Sequence, residues 1–259
     1  MVAAPGSSTV DAVTADTVVT SSVVGGRLVV VWFDRASGST TRRTVPRVAT
    51  PPRGRPLPDV GVTRDGAVWF LTYVPRGESG RSTHTQLWLA PAHGRPRLVA
   101  PVTDFAVMPG AVVWTDPAEH ASDTVHVRDL ADGTTSAFAL PECTAGSKSA
   151  ALDSVRGAGD LVALQAICNR APYDRTFLAR TDGTFVADLV INEEAEPTSL
   201  GARAVTFPSY VYDGSHHHLL RLDHSHREHT PWPQTAGDLV AWRLGTGLQG
   251  APLRVARLR

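Results

Sequence analysis

Apolar residues in this chain come in short runs, each led by glycine. The runs are GGRLVVVWF (Gly25–Phe33), DGAVWFL (Asp65–Leu71), PGAVVWT (Pro109–Thr115), AGDLVAL (Ala158–Leu164), GARAVTF (Gly201–Phe207) and AGDLVAW (Ala236–Trp242). β-Branched and aromatic residues dominate them, and no segment shows the period of an amphipathic helix, so they predict strands. The steps from Gly26 to Gly66, Gly110, Gly159, Gly201 and Gly237 are 40, 44, 49, 42 and 36 residues. A second glycine series, Gly54, Gly94, Gly133 and Gly183, steps by 40, 39 and 50. It contains the matched pair PPRGRPLPD (Pro51–Asp59) and AHGRPRLVA (Ala92–Ala100), and two Asp-Gly turns inside Val127–Leu140 and Leu178–Val190. Asp-Gly between apolar runs is a strong hairpin signal. Two turn series at one period mean a repeat built of strands and hairpins.

Six repeats of about 43 residues fit blades of four antiparallel strands, a to d from the axis outward. The expected architecture is all-β: a six-bladed β-propeller in one domain over residues 1–259. The blades are expected at 17–59, 60–100, 101–140, 141–190, 191–232 and 233–259. The last repeat supplies strands at Asp238–Leu244 and Leu253–Leu258 but no fourth, while Thr9–Thr14 precedes the first repeat as a spare strand. That strand is expected to pair with Leu253–Leu258 and close the ring, which removes an open edge. Pro-rich Val45–Pro58 is expected to be an outer hairpin of the first blade, where proline suits an edge.

The blade pattern resembles the β-propeller repeat families, most closely the Tol-B-like type. TRDGAVWFLTYV with THTQLWLAPAHGRPRLV (Thr63–Val74, Thr83–Val99) is the best match. The Gly-His and Trp-Asp signatures of WD repeats are absent. The resemblance implies a propeller with a central channel and carries no catalytic residue.

Strand alternation sorts side chains onto two ends. The b–c loops and the connections between blades share one end, the top; the a–b and c–d turns share the other. Six of the ten histidines lie between His216 and His229. The run reads first as a solvated, polar hairpin, because His216, His217 and His218 are expected at the top, and His224 and His226 at the bottom. Four convergent donors are what a structural metal site needs. His216 and His218 share a strand face and form a partial site with Asp213. A second candidate is the loop Asp116-Pro-Ala-Glu-His-Ala-Ser-Asp123. Asp116, Glu119, His120 and Asp123 give it three carboxylates and an imidazole, though it lacks the glycine-centred pattern of a calcium hand. No metal and no cofactor is expected.

Composition narrows the rest. Lys+Arg and Asp+Glu number 25 each, so broad attraction to nucleic acid or anionic membrane is not expected. Lys148 is the only lysine, a bias expected of a GC-rich, actinobacterial-like genome. No apolar run is long enough to span a membrane. The first residues, MVAAPGSS, lack the n- and h-regions of a signal peptide. Their Ala/Pro/Gly/Ser character is typical just after a cleavage site, so an extracellular or cell-envelope protein with its signal removed is expected, with the cytoplasm as the alternative. No Gly-x-Ser-x-Gly, His-Glu-x-x-His, phosphate loop or dinucleotide fingerprint occurs. The function expected is that of a monomeric binding module taking a protein or small-molecule ligand at its top face and channel mouth. A hydrolase or lyase acting on a sugar or other small molecule in the central funnel is the alternative.

Cys143 and Cys168 both map to the top of the fourth repeat and are expected to form a disulfide, which favours an oxidising compartment. Thiol titration of the unfolded, unreduced protein is then expected to find no free thiol. Two free thiols would remove both the bridge and the main argument for export.

Overall fold

The computed structural model describes residues 8–13, 17–24, 27–45, 60–63, 65–76, 82–91, 93–117, 123–141, 150–168, 175–190, 197, 199–201, 204–207, 210–222, 233–236, 238–243 and 253–258. All regular structure among them is β, in antiparallel sheets whose strands follow chain order. They fall in two compact units, Met1–Thr103 and Asp104–Arg259.

The first unit holds two four-stranded sheets. One is β1 (Ser8–Val13), β2 (Thr17–Val24), β3 (Arg27–Asp34) and β4 (Thr40–Val45); the other is β5 (Val60–Val62), β6 (Val68–Arg76), β7 (Ser82–Ala90) and β8 (Arg97–Val102). Leu28, Val30 and Val45 of the first pack with Val68, Phe70 and Ala90 of the second. Burying a side chain of this size contributes about 1.5–3 kcal/mol. Arg43 of β4 adds a polar clasp. Its guanidinium donates to the carbonyls of Gly66 (3.4 Å), Ala90 (3.2 Å) and Pro91, so the second sheet's chain ends are held by the first.

Here the structure corrects the expectation for the spare strand. β1 pairs with β2, with Ser8 opposite Ser22 and Val13 opposite Val18. Among the described residues the last sheet has three strands. The physical reason is loop entropy: only residues 14–16 separate β1 from β2, and closing so short a loop costs far less than joining opposite ends of the chain. One consequence is a shift of frame. The glycine-led run is the second strand in every other sheet but the third in this one. The expected outer hairpin at Pro51–Asp59 lies outside the described residues.

The second unit holds four sheets. They are β9 (Phe105–Val107), β10 (Ala111–Thr115), β11 (Thr124–Asp129) and β12 (Thr135–Ala139); β13 (Ala150–Ala158), β14 (Leu161–Cys168), β15 (Arg175–Arg180) and β16 (Phe185–Val190); β17 (Ser199–Leu200), β18 (Ala204–Phe207), β19 (Tyr210–Asp213) and β20 (His218–Arg221); and β21 (Gln234–Ala236), β22 (Leu239–Arg243) and β23 (Leu253–Arg257). Alternation along β14 and β15 explains why their apolar runs are continuous. Val162, Leu164 and Phe177 face the third sheet's Val113, Val125 and Val127, while Ala163 and Leu178 face the fifth sheet's Val205, Phe207 and Tyr212. The fifth sheet's other face, with Ala204 and Val211, meets Val240 of the last sheet. A strand buried on both faces reads as unbroken hydrophobicity.

Two details set the spacing. Gly157 on β13 lies so close to Met108 that a Cβ there would stand 2.6 Å from Met108 Cγ. Gly183 has φ +85 in the turn before β16, where the Asp182 carboxylate accepts from the Thr184 backbone N–H at 2.8 Å. The same Asp-Gly-Thr device recurs at Asp132–Thr134.

Asp104, 8 % exposed, is a polar link between the third and fourth sheets. Its carboxylate accepts from the backbone N–H of Phe105 and Val155, each at 2.8 Å, and from Arg156 at 3.0 Å. Asp104→Ala leaves the buried Val155 N–H without its acceptor and is expected to cost about 2–3 kcal/mol. Arg156→Ala, which removes a partly exposed partner, is expected to cost less than about 1 kcal/mol. Urea unfolding followed by tryptophan fluorescence measures both, and equal losses would show that the backbone bond is not what matters.

Candidate functional site

The sixteenth residue past the third sheet's leading glycine completes a cluster that the loop alone does not reveal. β10 ends at Thr115, and Asp116 follows as the chain leaves for the b–c connection. β11 returns with the alternating sequence TVHVRD, which buries Val125 and Val127 and places His126 on the face of its cross-strand partner Trp114. The two rings stack at 5.4 Å between centroids and 12° between planes. His126 Nε2 lies 2.9 Å from Asp116 Oδ1. Both side chains are about one-third exposed, whereas Trp114 is buried. The imidazole is thus fixed by an indole on one side and a carboxylate at one nitrogen, with an edge open to solvent.

Of the residues expected in this loop, Asp116 takes part directly. Asp123 is half-buried, and its carbonyl accepts from Leu140 N–H at 3.0 Å, tying the loop's end to the sheet. Glu119 and His120 lie outside the described residues. His126 was missing from the sequence reading because that reading sought donors inside the loop. The polar position of the Val-x-Val alternation, directly across from a tryptophan, was the available sign.

The histidine hairpin sits elsewhere than expected. β19 is a strand in its own right, and Ala204 pairs with Asp213, which pairs in turn with His218. The turn 214–217 is therefore the c–d turn of the fifth sheet, at the end where Gly201 leads into β18. The Asp116 loop is a b–c connection, at the opposite end of its own sheet. Asp213-Gly214 is the outer Asp-Gly turn of this repeat.

Within the hairpin the expected partners do meet. Asp213 Oδ2 lies 2.8 Å from His216 Nδ1, and Asp213 Oδ1 accepts from Ser215 N–H at 2.9 Å. The rings of His216 and His218 are 6.4 Å apart. His217 adopts φ 54, and its Nδ1 lies 2.9 Å from the Tyr212 hydroxyl. Burial works to raise the Asp213 pKa, but the hydrogen bonds from His216 and Ser215 and the charge on His216 outweigh it, and the carboxyl is held below its ordinary value. Burial and the neighbouring Asp213 push the Tyr212 phenol up.

In the first unit, Val24, Arg27, Val29, Arg42 and Thr44 line an open cavity of about 400 Å³ on one face of the first sheet. Cys168 ends β14, and Cys143 lies outside the described residues, as do His224, His226 and His229. Among the described residues no three metal-ligating side chains converge, and no helix is long and apolar enough to cross a membrane.

No protein-family model matches the chain, and no curated protein matches it. Solved structures do match. The β-propeller domain of the Trilobed protease from Pyrococcus furiosus, described as having an open velcro topology, aligns with TM-score 0.53 at 10% identity, over 93% of this chain and 78% of that one. Oligogalacturonate lyase in complex with manganese aligns with TM-score 0.53 at 10% identity, over 94% of this chain and 74% of that one. Identities this low speak for the fold alone, and the fold is that of a β-propeller.

The Asp213 geometry generates a pH test. An ordinary aspartate titrates near 3.9 when unfolded, and the folded value here is lower, so the carboxylate's contribution is complete above about pH 4 and is lost as pH falls through the folded value. The stability gap between wild type and Asp213→Asn is expected to stay constant down to about pH 4 and to narrow as pH falls below it toward the lowered folded value, in denaturant titrations. A gap that stays constant there too would show that the pair does not hold the turn.

Proposed function

We propose that this chain is a six-bladed, Tol-B-like β-propeller in a single domain that works outside the cytoplasm as a binding module. Its ligand site is the loop end of the third sheet, built on Asp116, His126 and Trp114 together with the loop residues Glu119, His120 and Asp123. The observation that carries the reading is the fixed, partly exposed imidazole of His126 between the Trp114 ring and the Asp116 carboxylate. Pre-ordered polar groups beside an apolar wall are what a recognition site needs, because little side-chain freedom is lost on binding. The acidic character of the loop favours a cationic group on the ligand, such as a lysine or arginine side chain of a protein partner.

The fold neighbours include a lyase in complex with manganese and a protease propeller, which keeps a second reading open. In it, His126, oriented by Asp116, acts as a general base on a sugar or other small molecule.

A panel of basic peptides and neutral and acidic oligosaccharides, screened by thermal shift and by product release, tests both readings. Binding without turnover is expected, with basic peptides raising the melting temperature. His126→Ala and Asp116→Asn are each expected to weaken that binding about tenfold or more, the size of one charge-assisted hydrogen bond. Ligand binding that is unchanged in both variants would overturn the site. Turnover that both variants abolish would replace the binding reading with the enzymatic one.

A further inference from the structure

The hairpin between β19 and β20 holds two imidazoles in a prepared arrangement. An ionised carboxylate only accepts hydrogen bonds. Asp213, largely buried and hydrogen-bonded by Ser215 N–H, stands 2.8 Å from His216 Nδ1, so Nδ1 carries the proton. In the neutral ring the lone pair is then on Nε2, at the far edge of a side chain that is 55% exposed. Carboxylate-to-imidazole bonding of this kind fixes the tautomer and orientation of metal-ligating histidines and makes them better donors.

His218 opens β20 directly opposite Asp213. Its ring is exposed, tilted 30° to that of His216, with centroids 6.4 Å apart. An ion about 2.1 Å from each ligating nitrogen sits roughly 3.2 Å from each ring centre. Two imidazoles on one tetrahedral ion would hold their ring centres roughly 5.2 Å apart, so the two exposed side chains need to close by about 1 Å through rotation about χ. His217 is kept out of the way: its left-handed backbone and its bond to the Tyr212 hydroxyl engage its ring elsewhere.

The geometry points to a divalent transition-metal site on this hairpin, with His216 Nε2 and His218 as protein ligands and Asp213 as the carboxylate that orients the first. Imidazole selects zinc or copper over calcium and magnesium, which prefer oxygen. Because no third side chain among the described residues converges there, water or a donor from a partner completes the shell. The affinity is accordingly moderate, and copper binds more tightly than zinc.

The test uses the whole chain with zinc, copper and calcium, each titrated calorimetrically. One equivalent of zinc or copper is expected to bind and calcium not at all, with two-nitrogen hyperfine structure in the copper spectrum. His216→Ala and His218→Ala are each expected to remove the two-nitrogen signature, and Asp213→Asn to weaken zinc about tenfold or more while the copper spectrum keeps both nitrogens. A triple variant, His224→Ala, His226→Ala and His229→Ala, is expected to bind as wild type does, which separates this turn from the rest of the histidine-rich segment. Loss of binding in the triple variant, wild-type binding in His216→Ala and His218→Ala, or no heat with either metal would each overturn the proposal.

Discussion

The structure rests on one constraint: its central strands are apolar on both faces. β14 cannot bury Val162 and Leu164 against one neighbour without leaving Ala163 for another. A sheet built on such strands needs a partner on each side, and sheets stacked side by side are the answer. This requirement, more than any single hydrogen bond, turns a repeated sequence into a repeated fold. The clasps made by Arg43 and Asp104 then fix how neighbouring sheets sit. Their strength comes from backbone groups that would otherwise be buried without partners.

The glycine-led runs were legible because they obey local rules. A turn glycine, a β-branched run and an Asp-Gly hairpin each announce themselves within about ten residues. Where the reading went astray, longer-range choices decided. Thr9–Thr14 was expected against Leu253–Leu258, but the strand Ser8–Val13 pairs with β2, its neighbour in sequence. Tyr210–Asp213 is only four residues long, too short for its alternation to stand out beside the adjoining histidines. The histidine turn therefore lies at the opposite end of its sheet from the one expected.

The candidate site shows the same limit. Asp116 was visible because carboxylates crowd a short loop. His126 becomes meaningful only once the register of β11 against β10 sets it on Trp114. Asp104 was invisible for a related reason, since its partners at Val155 and Arg156 are about fifty residues away and its bonds to Phe105 and Val155 go to main-chain atoms that no sequence pattern marks. Local chemistry can be read from a string, but convergence requires the ladder.

The fourth sheet, with an apolar layer on each face, makes the second unit behave as a short one-dimensional array. A defect at Leu164 or Leu178 loosens a layer shared with a neighbour, whereas one on β23, whose Leu253 and Val255 are exposed, loosens almost nothing. In such arrays opening spreads inward from the ends. The amides of β14 and β15 therefore exchange only when this unit opens as a whole, and those of β23 exchange in local fraying, so that within the second unit protection against hydrogen exchange is highest in the fourth sheet and lowest at β23.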